Sequence, residues 1–138
     1  MKIVLDTNCL LRSVPLKSEY HSILTALQRG FYTLCYSYEI LTEYEELLMR
    51  FYSHSLTYNI LNFIINSTNT QQVNPYYKWN LITADADDNK FVDCALNGGA
   101  DYIVTNDKHF NILNEIKFPP IKVIDIDVFR NKIIIPKL

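Results

Sequence analysis

The chain has 138 residues, is 49% hydrophobic and 20% charged, and carries 13 Lys+Arg against 15 Asp+Glu. That is the composition of one globular domain, expected to span 1–138, and it excludes disordered, low-complexity and polybasic classes. No apolar run approaches the ~18 residues of a membrane span, so no membrane association is expected. Met1-Lys2-Ile3-Val4-Leu5-Asp6 turns acidic after three apolar residues, unlike a secretory leader. Cys9, Cys35 and Cys94 show no C-x-x-C spacing. They argue against a zinc knuckle or disulfide frame and for a reducing, cytoplasmic setting.

In chain order, Lys2 to Leu5 is a short continuous apolar run, as expected of a strand buried on both faces. Ser18 to Gln28 reads as a helix stopped by Gly30, and Phe31 to Tyr36 as a strand. Tyr38 to Tyr52 is a helix, with Ile40, Leu41, Tyr44, Leu47, Leu48 and Phe51 in one stripe. Leu56 to Ile65 is a further helix. Its apolar face (Leu56, Ile60, Phe63, Ile64) suits self-association as a homodimer. Ser67 to Asn80 is a polar connection with one short strand near Val73. Asp88 to Asn97 is helical and ends at Gly98-Gly99. Tyr102 to Val104 is a buried strand, Lys108 to Asn114 a short helix, Lys122 to Ile126 a strand, and Ile133 to Ile135 a last edge strand. Strands alternating with helices predict an α/β, Rossmann-like three-layer sandwich, with a central, mostly parallel sheet of four to five strands.

Ligands of such sheets bind beyond the carboxyl ends of the strands. Ile3-Val4-Leu5 runs into Asp6-Thr7-Asn8, and Ile103-Val104 into Thr105-Asn106-Asp107. Neighbouring strands would bring Asp6 and Asp107 to one edge, although each acid taken singly is equally readable as a helix cap. Six of the nine Asp residues lie between positions 85 and 107. On a wheel of about 100° per residue with Asp88 at zero, Val92, Leu96, Phe91 and Ala95 surround it. Asp88 therefore falls in the apolar stripe, where a charge is costly unless paired, protonated or bound to a cation. Asp85 and Asp87 read as cap and surface. In Thr42-Glu43-Tyr44-Glu45-Glu46 the wheel places Glu43 and Glu45 at opposite margins of the stripe and does not choose between them. Gathered carboxylates raise one another's pKa. Oxygen ligands of this kind suit Mg²⁺ or Mn²⁺, which activate water for phosphoryl chemistry.

These residues resemble the PIN domain nucleases, and look most like the toxin components of bacterial toxin–antitoxin pairs (VapC-like). Ile3-Val4-Leu5-Asp6-Thr7-Asn8 is similar to the family's first motif, Asp85 to Ala95 with Gly99-Ala100-Asp101-Tyr102 to its third, and Tyr102 to Asp107 to its last. The resemblance runs from Met1 to about Ile126. It implies a PIN-like fold and four site acids, Asp6, Glu43, Asp88 and Asp107, with Asp6, Asp88 and Asp107 as metal ligands. It selects Glu43 over Glu45. Thr7, Asn8, Thr105 and Asn106 take supporting positions. The implied activity is a Mg²⁺- or Mn²⁺-dependent endoribonuclease, with RNA as substrate and a cognate antitoxin as partner. The Asp85–Asp88 cluster is richer in acid than the simplest pattern, which leaves Asp87 or Asp93 open as further ligands.

His21, His54 and His109 lack metal-ligand spacing and read as surface or structural residues. Arg12, Lys17, Lys90 and Lys108 flank the expected pocket as candidate phosphate contacts. Tyr76-Tyr77-Lys78-Trp79 interleaves a cation with rings, as base-stacking surfaces do, although local packing or a dimer interface reads better. Two other functions compete. A haloacid dehalogenase-type phosphatase would need Asp-x-Asp where the chain has Asp6-Thr7-Asn8. A non-catalytic α/β binding module would use the acids only as caps. No nucleotide-binding glycine loop and no G-x-S-x-G elbow occurs.

Overall fold

The structure is a computed structural model and describes residues 1–138. Five strands, β1 (Lys2–Leu5), β2 (Thr33–Tyr36), β3 (Thr70–Gln72), β4 (Tyr102–Val104) and β5 (Lys122–Ile124), form one all-parallel sheet in the order β3-β2-β1-β4-β5. Ile3, Val4 and Leu5 are fully buried, because the central strand of such a sheet has apolar layers on both faces.

Five α-helices connect the strands: α1 (Thr7–Ser13), α2 (His21–Gln28), α3 (Tyr38–Phe51), α4 (His54–Asn66) and α5 (Asn89–Gly98). With the usual right-handed crossovers, the strand order places α1 to α4 on one face of the sheet and α5 on the other. There α5 packs on β1, β2 and β4. The α5 stop is set by Gly99, whose φ of 69° is the left-handed conformation that glycine adopts without strain. Its neighbour Gly98 permits close packing, since an added Cβ would lie 2.7 Å from Val73 Cγ2. A cluster of 33 buried hydrophobic residues joins the layers.

The structure differs from the sequence expectations at several elements. The seven-residue α1 is too short for a periodic stripe to reveal. Helix α2 starts at His21 rather than Ser18, and the short strand expected near Val73 is Thr70–Gln72. The short helix expected at Lys108 to Asn114 is a 3₁₀ helix, Lys108–Glu115. The edge strand expected at Ile133–Ile135 is absent. Phe129–Ile134 is a π-helical turn and Ile135–Lys137 a 3₁₀ turn. The β-branched run has strand propensity, but tertiary packing decides. Phe129 and Ile134 are both fully buried, and the Phe129 ring meets Tyr32 edge-on at 5.2 Å.

The strand order fixes where a site can form. The chain builds outward from β1 through β2 to β3, then crosses to β4 and continues to β5. The switch point lies between β1 and β4, where Leu5 pairs with Val104. The residues that follow, Asp6 and Thr105, open the crevice at the carboxyl ends.

Candidate active site

Asp6 leaves β1 with its backbone N–H donating to Val104 O at 3.0 Å, which fixes the acid beside the end of β4. Thr105, 2% exposed, then works in two directions. Its hydroxyl donates to Asp6 Oδ2 at 2.6 Å and accepts from the Asp107 N–H at 3.0 Å. One buried hydroxyl therefore sets the positions of both strand-end acids. Burial raises the Asp6 pKa above the usual carboxylate value. The Thr105 hydrogen bond opposes this, while the charges of Glu43 and Asp107 reinforce it.

Helix α3 brings Glu43 to the same edge. Ser37 caps the helix by accepting from the Ile40 N–H, and Glu39 in the first turn suits the macrodipole. Tyr44, fully buried, donates its hydroxyl to Leu5 O at 2.5 Å and so ties the helix to the last residue of β1. Glu43, adjacent to that tie, accepts from the Thr7 hydroxyl. Glu45 is exposed, and Glu43 is the one of the two that faces this edge. The other Glu43 oxygen lies 2.9 Å from Lys90 Nζ, which also reaches Asp87 at 2.8 Å. Burial opposes the Lys90 charge, but Asp87 and Glu43 outweigh it and leave the Lys90 pKa raised.

Asp88 ends a 3₁₀ turn, Ala86–Asp88, that leads into α5. The inward placement expected from the wheel holds, although the helix proper begins one residue later. The side chain is 14% exposed, and its Oδ2 is out of reach of solvent and makes no hydrogen bond. Burial, then the charges of Asp107 and Asp85, push its pKa up to about 6. Carboxylates that raise one another's pKa in this way are a donor set that fits a hard divalent cation.

The structure also brings to the site a residue that sequence reasoning set aside. His109 Nδ1 lies 3.4 Å from Asp88 Oδ2 and 3.5 Å from Asp107 Oδ1. Asp107 Oδ1 in turn accepts from the His109 N–H at 2.9 Å, so it is both site acid and cap. The signal was position: His109 stands two residues beyond Asp107, where the cap returns it to the crevice. Asp85, read as a cap, does cap the 3₁₀ turn through the Asp87 N–H. It also joins Asp88 and His109 in a group whose ligand atoms all lie within 4.8 Å of one another.

The other expected residues divide. Asn8, Cys9, Arg12 and Asn106 line a cavity of about 260 Å³ with Asp6 and Asp107. The Arg12 guanidinium sits 4.6 Å over the Tyr20 ring. Asn106 accepts from the Ile126 N–H at 3.0 Å, which joins the end of β4 to the end of β5. Lys17 and Lys108 are exposed. Asp87 is committed to Lys90. Asp93, 5% exposed, accepts from the Trp79 N–H at 2.9 Å and so is committed to the 76–79 segment. Within that segment the Tyr77 and Trp79 rings meet at 4.6 Å, and Tyr76 is exposed.

Residues 2–109 match the family model described as PIN domain. Among solved structures, a chain of VapBC2 from Rickettsia felis, bound to a DNA fragment from their promoter, superposes with a TM-score of 0.58 at 17% identity. The match covers 91% of this chain and 98% of that one, which is a likeness of fold. No curated protein matches in sequence. The family match spans the three segments that carry Asp6, Glu43 and the Asp88–Asp107 pair, and the chain belongs to the PIN domain family.

Proposed function

We propose that this protein is a divalent-metal-dependent endoribonuclease and the toxin of a toxin–antitoxin pair. The observation that carries the reading is the pair Asp6 and Asp107, held at the β1/β4 switch point by Thr105, with Asp88 close enough for both their charges to raise its pKa. Asp6, Asp88 and Asp107 would hold Mg²⁺ or Mn²⁺. When bound, such an ion supplies an acidified water and charge neutralisation at phosphorus.

The chain's own residues do the rest. Thr105 holds Asp6 and the Asp107 backbone in register, so neither acid has to be ordered when substrate arrives. Thr7 and Lys90 fix both oxygens of Glu43. Glu43 is thus a positioning carboxylate at the rim, and Lys90 offsets part of the site's negative charge. Arg12, seated on Tyr20 and facing the cavity with Asp6, is the cation placed to meet an RNA phosphate. Lys108, exposed one residue beyond Asp107, is a second.

The antitoxin is proposed because the structural neighbour is a complex of that kind and because the surface offers a place for it. An apolar groove of about 420 Å³ runs between α2 and α4, with Leu16, Leu24, Leu56, Ile60 and Phe63 among its walls. Such grooves accept the apolar face of a partner helix. The α4 face read as a self-association surface is one wall of this groove.

The test is cleavage of a mixed RNA pool by purified protein with Mn²⁺, with Mg²⁺ and with EDTA, beside Asp88→Asn. The reading predicts cleavage that requires the metal and is abolished by the substitution. Equal cleavage by both proteins, or in EDTA, contradicts it.

A further inference from the structure

We infer that Tyr20 is a positioning residue for RNA binding, one that holds the Arg12 guanidinium at the site with its N–H donors free for a phosphate, and that Asp127 of the C-terminal segment braces it. The inference rests on the nuclease reading above and deepens it. It gives a role to a stretch of chain beyond residue 109, where the family match ends.

Three observations carry it. First, the Arg12 guanidinium lies 4.6 Å over the Tyr20 ring and takes part in no ion pair or side-chain hydrogen bond, although it shares a cavity with Asp6 and Asp107. A ring face attracts a guanidinium and occupies none of its five N–H donors. Second, Arg130 shows the opposite case on the same ring. It lies 5.4 Å from the Tyr20 centroid, but its donors are committed to Glu19 and Asn131. Third, Tyr20 is fixed at both ends and is 6% exposed. The Ser18 hydroxyl donates to Arg12 O at 2.5 Å and accepts from the Tyr20 N–H at 3.1 Å, which joins the two residues through one turn. The phenol O–H donates to Asp127 Oδ1 at 2.7 Å, from the segment that follows β5.

A ring suits this place better than an acid. A guanidinium that shares a cavity with two carboxylates is drawn to pair with them. Paired, it would have few donors left for substrate and would compete with a cation for the acids. The Tyr20 ring holds it aside. Donation of the phenol proton toward Asp127 pushes electron density into the ring and deepens its negative face, so the brace strengthens the stack. An RNA phosphate then meets a planar fork already in place, with less side-chain freedom to lose on binding.

The experiment is anisotropy titration of a fluorescein-labelled, mixed-sequence single-stranded RNA in EDTA, where the nuclease reading expects no cleavage. The proteins are wild type, Arg12→Ala, Tyr20→Leu, Tyr20→Phe, Asp127→Ala and the double variant Arg12→Ala/Tyr20→Leu, with thermal melts to check folding. Arg12→Ala should bind ~10-fold more weakly, and its slope of log K against log salt should be shallower by ~0.7. Tyr20→Leu should lose ~2–5-fold, and Tyr20→Phe, which keeps a ring, should lose less. The double variant should bind no more weakly than Arg12→Ala alone, because Tyr20 acts through Arg12. Asp127 is exposed, so Asp127→Ala spares the core. On charge alone its loss would strengthen RNA binding, whereas loss of the brace weakens it.

The inference is overturned if wild type does not bind the RNA, if Tyr20→Leu binds like wild type, if its loss persists in full in the Arg12→Ala background, or if Asp127→Ala binds more tightly. The two readings fail separately. RNA binding that follows the expected order, without metal-dependent cleavage, overturns the nuclease and leaves the role of Tyr20 standing. Metal-dependent cleavage with RNA binding indifferent to Tyr20 does the reverse.

Discussion

Asp88 and Thr105 carry opposite kinds of strain at the site. The Asp88 pKa is raised to about 6 by burial and by its acidic neighbours, against 3.8 for the unperturbed group. The folded state therefore holds the proton more tightly than the unfolded one. Asp88 contributes no penalty below pH ~4 and a growing one as pH rises through ~6. Asp88→Asn should stabilise the metal-free protein by about 1 kcal/mol at pH 7 after allowance for solvent screening, with the gain vanishing below pH ~4. Urea denaturation at the two pH values measures this. With saturating Mn²⁺ the order should invert, because the ion binds only the folded wild-type site well. Thr105 works in the other sense. Its hydroxyl satisfies Asp6 and the Asp107 N–H at once. Thr105→Val should cost about 1 kcal/mol of stability. It should also cost ~10–100-fold in Mn²⁺ affinity, the usual penalty for losing the partner of a ligand. An unchanged affinity would mean that Asp6 holds its place without it.

The elements differ in how openly the sequence declares them. The core strands β1 and β4 and helix α3 were legible because each has one dominant pattern, a short apolar run or a long stripe. The last expected strand was not, because the run around Ile134 carries strand propensity while Phe129 and Ile134 are recruited into the core beside Tyr32. Asp6 and Asp107 were legible as acids at strand ends, and Asp88 as a charge on an apolar stripe. Glu43 was not separable from Glu45 by periodicity, since the choice depends on Thr7 and Lys90, which belong to other elements. His109 carries only one local signal, its place two residues beyond Asp107, and neither periodicity nor metal-ligand spacing registers it. Its partners, Asp85 and Asp88, lie across the crevice. Two substitutions test the element-level account. Tyr44→Phe removes the tie between α3 and Leu5 O and should cost about 1–2 kcal/mol. Cleavage should fall with it, because Glu43 rides on the same turn. Gly99→Ala forces an L-residue to a φ of 69° and should cost about 1 kcal/mol without touching metal binding. Thermal melts with and without Mn²⁺ separate the two.

At the scale of the whole molecule, an all-parallel sheet gathers acids from four separate stretches of chain at one switch point, and the apolar groove between α2 and α4 leaves a second surface on another face. The two surfaces should be separable. Leu16, 84% exposed at the groove, can be changed without disturbing the core. Leu16→Asp should weaken binding of a cognate antitoxin by about tenfold or more, since it places a charge against an apolar helix face. RNA cleavage by the free protein should be unaffected. Competition binding alongside a cleavage assay measures both. The measurement that bears most directly on the account is a Mn²⁺ titration of the metal-free wild type, with bound Mn²⁺ and RNA cleavage followed in the same samples. The account predicts that cleavage is nil without the ion and rises in step with occupancy. Full-rate cleavage by protein shown to carry no metal would contradict it.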